Sequence, residues 1–179
     1  MLRRTRPAAG TLAIFAILAV AGIGEPDRSL LKLGDALPPL SGQTVTGKPL
    51  ELPKAASGKV AMVIVSFSRS GGRDAQNWAQ QISKDAPNLP IFTAIFLESV
   101  PRIFRSFAVS GIRSAMPPLM LDRTLLLYQQ QSSWQQRLHV TDTSYACVLV
   151  LDQFGHIRWI SSGPFADSTY QRLKKELWP

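Results

Sequence analysis

The stretch from Tyr145 to Ile160, YACVLVLDQFGHIRWI, carries the clearest fold signal in this chain of 179 residues. Its first part, Tyr145–Leu151, is an apolar run of strand length. Asp152–Gly155 has the composition of a tight turn, in which Gly155 suits a positive φ. Because His156–Ile160 then returns as a second apolar run, the stretch predicts a β-hairpin. A helix that begins at Asp167 or Ser168 is expected to close the chain.

Two further apolar runs precede this hairpin, and each is followed by a helical pattern. Val60–Phe67 and Ile91–Leu97 have the length and composition of strands that are buried on both faces. In Asp74–Asp85 apolar residues recur every three to four positions, which predicts a helix. The same spacing in Pro101–Ser110 predicts a second helix, for which Gly111 is a plausible terminator.

The other segments of the body are less distinct. Leu30–Pro53 is rich in glycine, proline, serine and threonine, which indicates an extended entry segment with a hairpin around residues 41–48. Residues 112–144 contain a short apolar run, Leu125–Tyr128, and a glutamine-rich stretch, Gln129–Gln136, that fits either a helix or a polar loop. The whole order predicts an α/β fold of thioredoxin-like type, with a central mixed sheet flanked by helices, although several α/β folds begin in this way.

Residues 1–24 have the composition of a targeting segment. Three arginines precede an apolar run, Leu12–Ile23, in which Ala19-Val20-Ala21 matches a signal-peptidase site. The pattern predicts a signal peptide or a membrane anchor, and arginine-rich, acid-free termini also occur in mitochondrial transit peptides. The chain is therefore divided into this segment, an extended entry segment at 25–53 and a thioredoxin-like domain at 54–179.

Composition excludes several classes of function. With 45% hydrophobic residues the chain is too apolar to be disordered throughout. Its single cysteine excludes an intramolecular disulfide framework and any cysteine-cluster metal site. The net charge is +8, and it falls to +5 without residues 1–24, which hold three arginines and no acidic residue. Because the basic residues are scattered, we expect no nucleic-acid partner.

The place where thioredoxin-like proteins carry redox cysteines holds none here. That place is the loop after the first core strand, at the amino end of a helix whose dipole lowers a thiol pKa. The corresponding loop contains serine, arginine and glycine instead, in the residues Ser68, Arg69, Ser70, Gly71 and Arg73. Thr143–Ala146 also lacks the cis-proline that is usual before the hairpin. We therefore interpret the loop as a vestigial active site, and we expect no catalytic residue and no cofactor.

Other chemistry has only weak support in the sequence. Cys147 lies in a predicted buried strand and is interpreted as a small core residue, with a lone reactive thiol as the alternative. His139, Asp142, Cys147 and His156 match no metal-binding spacing, so no metal site is predicted. Backbone amides near Gly71 and Arg73 allow an anion-binding loop, which is a further alternative to a plain tight turn.

The segment from Leu149 to Pro164 resembles the carboxy-terminal signature of the ATP synthase assembly factor "ten" family of the mitochondrial inner membrane. The matching positions are Tyr145, Val150, Asp152, Gly155, Ile157, Arg158, Trp159, Ser162, Gly163 and Pro164. The strand Val63–Ser68, with its cysteine-free loop, also looks like that family. Ala146, Leu151 and Phe165 depart from the pattern.

This resemblance implies a non-enzymatic assembly factor or chaperone that escorts a hydrophobic subunit of the ATP synthase membrane sector. It implies membrane association, which we assign to the amino terminus, and partner binding through Arg158, Trp159, Gly163 and Pro164. Core packing of Trp159 and capping of a carboxylate by Arg158 are the alternatives. The signal-like amino terminus favours the bacterial periplasm or the outer face of the inner membrane, with the mitochondrial inner membrane as the alternative.

Two other functions remain open from the sequence. The first is an extracytoplasmic thiol oxidoreductase or peroxiredoxin-like protein that uses Cys147 with a partner thiol. The second is a small-ligand or anion binder that uses the loop from Ser68 to Arg73.

Overall fold

The computed structural model of the protein describes residues 29–177. The targeting segment predicted at residues 1–24 lies outside them. The described part contains a seven-stranded sheet in the order β2-β1-β5-β4-β3-β6-β7. The strands are β1 (Leu40–Thr44), β2 (Pro49–Leu52), β3 (Ala61–Ser66), β4 (Ile91–Phe96), β5 (Thr124–Leu127), β6 (Cys147–Leu151) and β7 (Ile157–Ser162). The helices are α1 (Arg69–Asp85), α2 (Arg105–Ala115), α3 (Pro118–Leu121), α4 (Gln131–Arg137) and α5 (Asp167–Leu177).

The three parallel strands determine which face of the sheet each helix covers. β3, β4 and β5 are neighbours in this order and run parallel. Right-handed crossovers in one direction along a sheet place their helices on one face, so α1 and α2 lie on the same side. The α1 face carries Trp78 and Ile82, which pack with Tyr170 and Leu173 of α5. The opposite face is covered by α4 and the entry segment.

The predicted fold is confirmed: it is a mixed sheet flanked by helices. All residues of β3 and β4 are buried, as continuous apolar runs require when both faces of a strand are covered. The hairpin β6–β7 and helix α5 lie where the sequence places them. The Asp152 carboxylate accepts hydrogen bonds from the amides of Phe154 and His156, and Gly155 has φ +87°.

The bounds of two helices differ from those predicted. Helix α1 begins at Arg69 rather than Asp74, because the side chain of Ser68 caps it. Helix α2 begins at Arg105 rather than Pro101, after a 3-10 turn at Arg102–Phe104, and it continues through Gly111 to Ala115, so Gly111 is not its terminator. It ends at Met116, whose extended backbone (φ −110°, ψ 144°) is what a following proline imposes on the residue before it.

The less distinct segments also contribute to the sheet. The entry segment forms β1 and β2, which pair as the predicted hairpin at one edge of the same sheet. Leu37, Leu40 and Leu52 of this segment are buried in the core. In the region 112–144, the apolar run becomes β5, and the glutamine-rich stretch becomes α4 with Trp134 buried.

A hydrogen-bonded group joins the ends of α1 and α5. The Tyr170 hydroxyl donates to Asp85 at 2.7 Å, and the Lys174 ammonium donates to the same carboxylate oxygen at 3.0 Å. These hydrogen bonds, that of Tyr170 first, hold the pKa of Asp85 below its usual value. Folding therefore favours the charged form of Asp85.

Tyr170→Phe is expected to weaken this acid-sensitive contribution. A carboxyl whose pKa is lowered by folding adds stability above its unfolded-state pKa, and this stability is lost as the pH falls through the folded-state pKa. The variant should be less stable than the parent at pH 7, and the difference should shrink below about pH 4, the ordinary range for an aspartate. Urea unfolding at several pH values measures this.

Tyr128→Phe is the matched control, because the Tyr128 ring lies under the Arg105 guanidinium and has no carboxylate partner among residues 29–177. It should leave the acid dependence of stability unchanged. An equal loss at pH 7 and at acid pH in Tyr170→Phe would show that only packing was disturbed.

Candidate functional site

The junction between β3 and α1 is where the redox loop of a thioredoxin-like protein would lie. Only Phe67 and Ser68 separate the end of β3 from the start of α1. The Ser68 hydroxyl oxygen accepts a hydrogen bond from the Gly71 amide at 3.0 Å, which caps the helix. The predicted loop is therefore mostly helix, since Arg69, Ser70, Gly71 and Arg73 all belong to the first turns of α1. The sequence prediction placed the helix too late because it did not recognise the cap.

This junction is closed by direct contact with the loop before β6. The Ser68 hydroxyl donates to the Thr143 carbonyl at 2.6 Å. Gly71 is buried, and a Cβ atom at its position would lie 2.8 Å from the Thr143 carbonyl oxygen and 3.1 Å from that of Tyr145. The backbone of α1 at Gly71 therefore lies directly against the backbone of the loop before β6, at the point where a redox protein would present its thiols. Only glycine fits at position 71.

The Asp74 carboxylate also stabilises this junction, through hydrogen bonds to two other segments. Its Oδ2 accepts a hydrogen bond from the Ala146 amide at 3.0 Å, and its Oδ1 accepts a longer one from the Phe165 amide at 3.4 Å. The carboxylate thus links α1 to the start of β6 and to the segment after β7. Sequence reasoning used Asp74 only as a helix start, and no local pattern reveals partners so distant in the chain.

The amides of both glycines at the start of α1 have partners within the chain. The Gly71 amide donates to the Ser68 hydroxyl, and the Gly72 amide donates to the Ser68 carbonyl at 2.9 Å. Arg69 and Arg73 are exposed. Neither glycine amide is therefore free to bind an anion, as the alternative of an anion-binding loop at Gly71 and Gly72 requires.

Cys147 lies within the sheet, away from solvent. It is the first residue of β6 and pairs with Val65 on one side and Ser162 on the other. Its side chain is fully buried, and this burial raises the pKa of the Cys147 thiol to about 12. A thiol in such surroundings is protonated at neutral pH and a poor nucleophile.

The other residues considered for a metal site serve local turns. The Asp142 carboxylate accepts a hydrogen bond from the Ser144 amide, and this hydrogen bond keeps the pKa of Asp142 below its usual range. The ring nitrogen Nδ1 of His156 lies 3.4 Å from Asp152. Within residues 29–177 no group of three or more histidine, cysteine or acidic side chains is arranged to hold a metal ion.

The residues predicted to bind a partner lie on and after β7, at one edge of the sheet. Arg158 is exposed, and it makes no ion pair within the described part of the chain. Trp159 is half-buried, with its ring 6.3 Å from that of Trp78, so core packing accounts for at least one side of it. Gly163 has φ +129° and Pro164 is exposed.

Among residues 29–177, the edge of β7 is covered only at its beginning. The Gly34 amide donates to the Ile157 carbonyl at 2.8 Å, and the Ile157 amide donates to the Asp35 carbonyl at 2.9 Å. From Arg158 to Ser162 no other strand of residues 29–177 pairs with the outer side of β7. An uncovered edge can pair with an extended segment of another chain.

One cleft of about 520 Å³ lies elsewhere, near the outer ends of β1 and β5. Leu40, Gly42, Phe96 and Trp134 are among the residues that line it. It contains none of the predicted site residues. In the part of the chain that the structure describes, no helix has both the length and the apolar composition needed to cross a membrane.

Gly71→Ala tests whether the junction is as tight as the geometry indicates. The added methyl group must displace backbone atoms of the loop before β6, so we expect a loss of about 1–3 kcal/mol in the free energy of unfolding. Gly72→Ala is the control, because a Cβ there meets nothing within 4 Å. That variant should be neutral or gain up to about 1 kcal/mol through helix propensity. Equal effects in urea unfolding would contradict a closed junction.

Alkylation of Cys147 tests its burial. Near neutral pH the native protein should react with a thiol reagent far more slowly than the urea-unfolded protein. Because burial raises the thiol pKa to about 12, the native rate should stay low and still be rising at pH 10 without a midpoint, whereas the rate of an exposed thiol with a pKa of about 8.5 levels off above about pH 9. Rapid native labelling with a midpoint near 8 would contradict this placement.

Solved structures of similar shape are thioredoxin-like. A thiol:disulfide interchange protein DsbE from Chlorobium tepidum aligns with a TM-score of 0.58 at 13% identity, covering 82% of this chain and 96% of that one. The thioredoxin lipoprotein Etrx1 from Streptococcus pneumoniae aligns with a TM-score of 0.53 at 16% identity, covering 77% and 99%. At these identities the likeness shows the fold alone.

A third similar structure is BsSco, described as a member of the Sco family of cytochrome c oxidase assembly proteins. It aligns with a TM-score of 0.51 at 14% identity, covering 83% of this chain and 98% of that one. No curated protein matches the sequence. The model of the family described as ATP10 protein matches residues 26–177, which is most of the chain. With its thioredoxin-like fold and its cysteine-free junction, the chain belongs to the ATP10 protein family.

Proposed function

We propose that this protein is a non-catalytic assembly factor or chaperone for a membrane complex, and that its client is a hydrophobic subunit of the ATP synthase membrane sector. The observation that carries the proposal is the closed β3–α1 junction in a chain of the ATP10 family. Such a chain has the fold of a thiol oxidoreductase, but backbone contacts occupy the β3–α1 junction where an oxidoreductase would carry its redox cysteines.

Two features of the described residues support a role without thiol chemistry. The junction has no space for a side chain at Gly71. The chain's one cysteine is buried in β6, where its raised pKa keeps it protonated. These features count against an oxidoreductase or peroxiredoxin-like role for Cys147, because such a role needs an accessible thiolate.

The uncovered edge of β7 is the surface that we assign to the client. An extended peptide can add to such an edge through main-chain hydrogen bonds, with specificity supplied by neighbouring side chains. Arg158 is exposed there and makes no ion pair among residues 29–177, and the Trp159 ring packs on the core side of the strand, 6.3 Å from the Trp78 ring. Gly163 and Pro164 end the edge, and they limit how far an added strand can continue.

The amino-terminal segment would hold this surface close to the client. We assign residues 1–24 to a signal peptide or an anchor, and an uncleaved anchor would keep the folded body beside a membrane. The ATP10 family favours the mitochondrial inner membrane, whereas the signal-like sequence favours the outer face of a bacterial inner membrane or the periplasm. BsSco, another protein of this fold, is described as belonging to a family of assembly proteins.

A photo-crosslinking amino acid at exposed position 162, at the far end of the β7 edge from Arg158, tests the client and the surface together. In isolated membranes we expect crosslinks from this position to an ATP synthase membrane-sector subunit. The exposed position 171 on α5 is the matched control and should give few. In the chain with the crosslinker at position 162, Arg158→Ala should lower the yield about tenfold, if Arg158 contributes about 1.4 kcal/mol to binding.

The other outcomes separate the alternatives. Crosslinks to the same subunit from positions 162 and 171 alike would contradict a client-binding surface at the β7 edge. Capture of thiol proteins instead, lost in Cys147→Ser, would replace the assembly role with the redox alternative.

A further inference from the structure

Three large apolar side chains at the start of α2 project into solvent. The exposed fractions are 78% for Ile103, 56% for Phe104 and 81% for Phe107. Ile103 and Phe104 belong to a 3-10 turn, residues 102–104, that leads directly into α2. Phe104 follows Ile103 directly, and Phe107 is three positions after Phe104 and four after Ile103. This spacing places all three side chains on one surface of neighbouring turns. We call these three residues the α2 patch.

The patch is fixed in place by the other side of the helix. Val109, Ile112 and Met116 pack onto the sheet, so the patch cannot be buried by a rotation of α2. The Arg105 guanidinium lies 4.8 Å from the centre of the Tyr128 ring, and its Nε donates to the Val100 carbonyl at 3.1 Å. Two exposed phenylalanines on a rigid element are unusual for a surface that meets only water.

The stretch of chain that carries the patch has charges of one sign. Between Ser99 and Leu121 the chain has three arginines, Arg102, Arg105 and Arg113, and no lysine, aspartate or glutamate. Arg102 is exposed beside Ile103. Glu98 lies just outside this stretch, and its carboxylate accepts a hydrogen bond from the Gln131 amide at the start of α4. Apolar side chains with arginines and no acidic neighbour are typical of a surface that lies on anionic lipid.

The same charge argues against the other possible occupants. A second copy would bring like-charged arginines together. The apolar run of residues 12–23 follows three arginines and has no acidic residue before Glu25, so it does not complement the patch either. An uncharged helix of another protein would satisfy the apolar side chains and leave Arg102 without a partner, whereas Arg105 and Arg113 already donate hydrogen bonds to the carbonyls of Val100 and Val45. An anionic bilayer satisfies both.

We propose that the α2 patch docks on an anionic lipid bilayer, with Ile103, Phe104 and Phe107 in the headgroup–acyl boundary and Arg102 at the lipid phosphates. This contact is separate from the targeting segment at residues 1–24 and does not depend on the identity of the client. It orients the body on the membrane rather than merely tethering it.

An environment-sensitive fluorophore on the full chain tests the contact directly. Because Cys147 is buried, Phe107→Cys provides one accessible thiol for labelling. The control is Ser132→Cys, an exposed position on α4 across the sheet. The vesicles are phosphatidylcholine with or without phosphatidylglycerol. We expect a blue shift and quenching by brominated acyl chains at position 107 and neither at position 132, and the effect should require phosphatidylglycerol.

Variants and concentration dependence keep the outcomes distinct. In the chain labelled at position 107, Arg102→Gln should reduce the phosphatidylglycerol-dependent signal about fivefold, as expected for one arginine near an anionic surface. Leu119→Ser, an exposed apolar residue outside the patch, should leave it unchanged. A bound protein with no shift at position 107, or equal shifts at both positions, would overturn the proposal. A shift that grows with protein concentration without lipid would overturn it in favour of self-association.

Discussion

The hydrogen bond from the Ser68 hydroxyl to the Thr143 carbonyl is the contact on which the character of this protein depends. The same oxygen caps α1 through the Gly71 amide, so one side chain begins the helix and closes the junction. In a redox protein of this fold, thiols need an open junction and a helix amino terminus that stabilises a thiolate. Here the junction is occupied by protein backbone. The surfaces left for binding other molecules are therefore the edges of the sheet and the exposed faces of the helices.

In the proposed role these two surfaces have different tasks. The edge of β7 is held by the core through Trp159 and Trp78, and it offers main-chain groups beyond the short stretch covered by Gly34 and Asp35. The α2 patch is on a different element, the crossover between β4 and β5. An assembly factor that receives a hydrophobic subunit needs a peptide-binding surface and a fixed orientation at the membrane. We assign the first task to the β7 edge and the second to the α2 patch.

The central strands and the closing hairpin could be predicted from the sequence because both follow from local pattern. β3 and β4 are uninterrupted apolar runs, and Asp152 and Gly155 mark the turn before β7. The start of α1 was missed because glycine pairs usually indicate a loop, and only the cap by Ser68 reveals the helix. The contacts of Asp74 with Ala146 and Phe165 could not be predicted, since they join residues more than 70 positions apart. The exposure of Phe104 and Phe107 could not be predicted either, because an apolar face at helical spacing is ordinarily buried.

The central claim is that this protein acts in assembly without thiol chemistry. The most direct test is the amount of assembled ATP synthase, resolved on native gels, in cells whose only copy of the protein carries Cys147→Ala. Cellular levels of the variant should be measured alongside, because Cys147 is part of the core. The account predicts unchanged assembly at equal protein level. Loss of assembly at equal protein level would contradict it, since it would mean that the buried thiol is required for function.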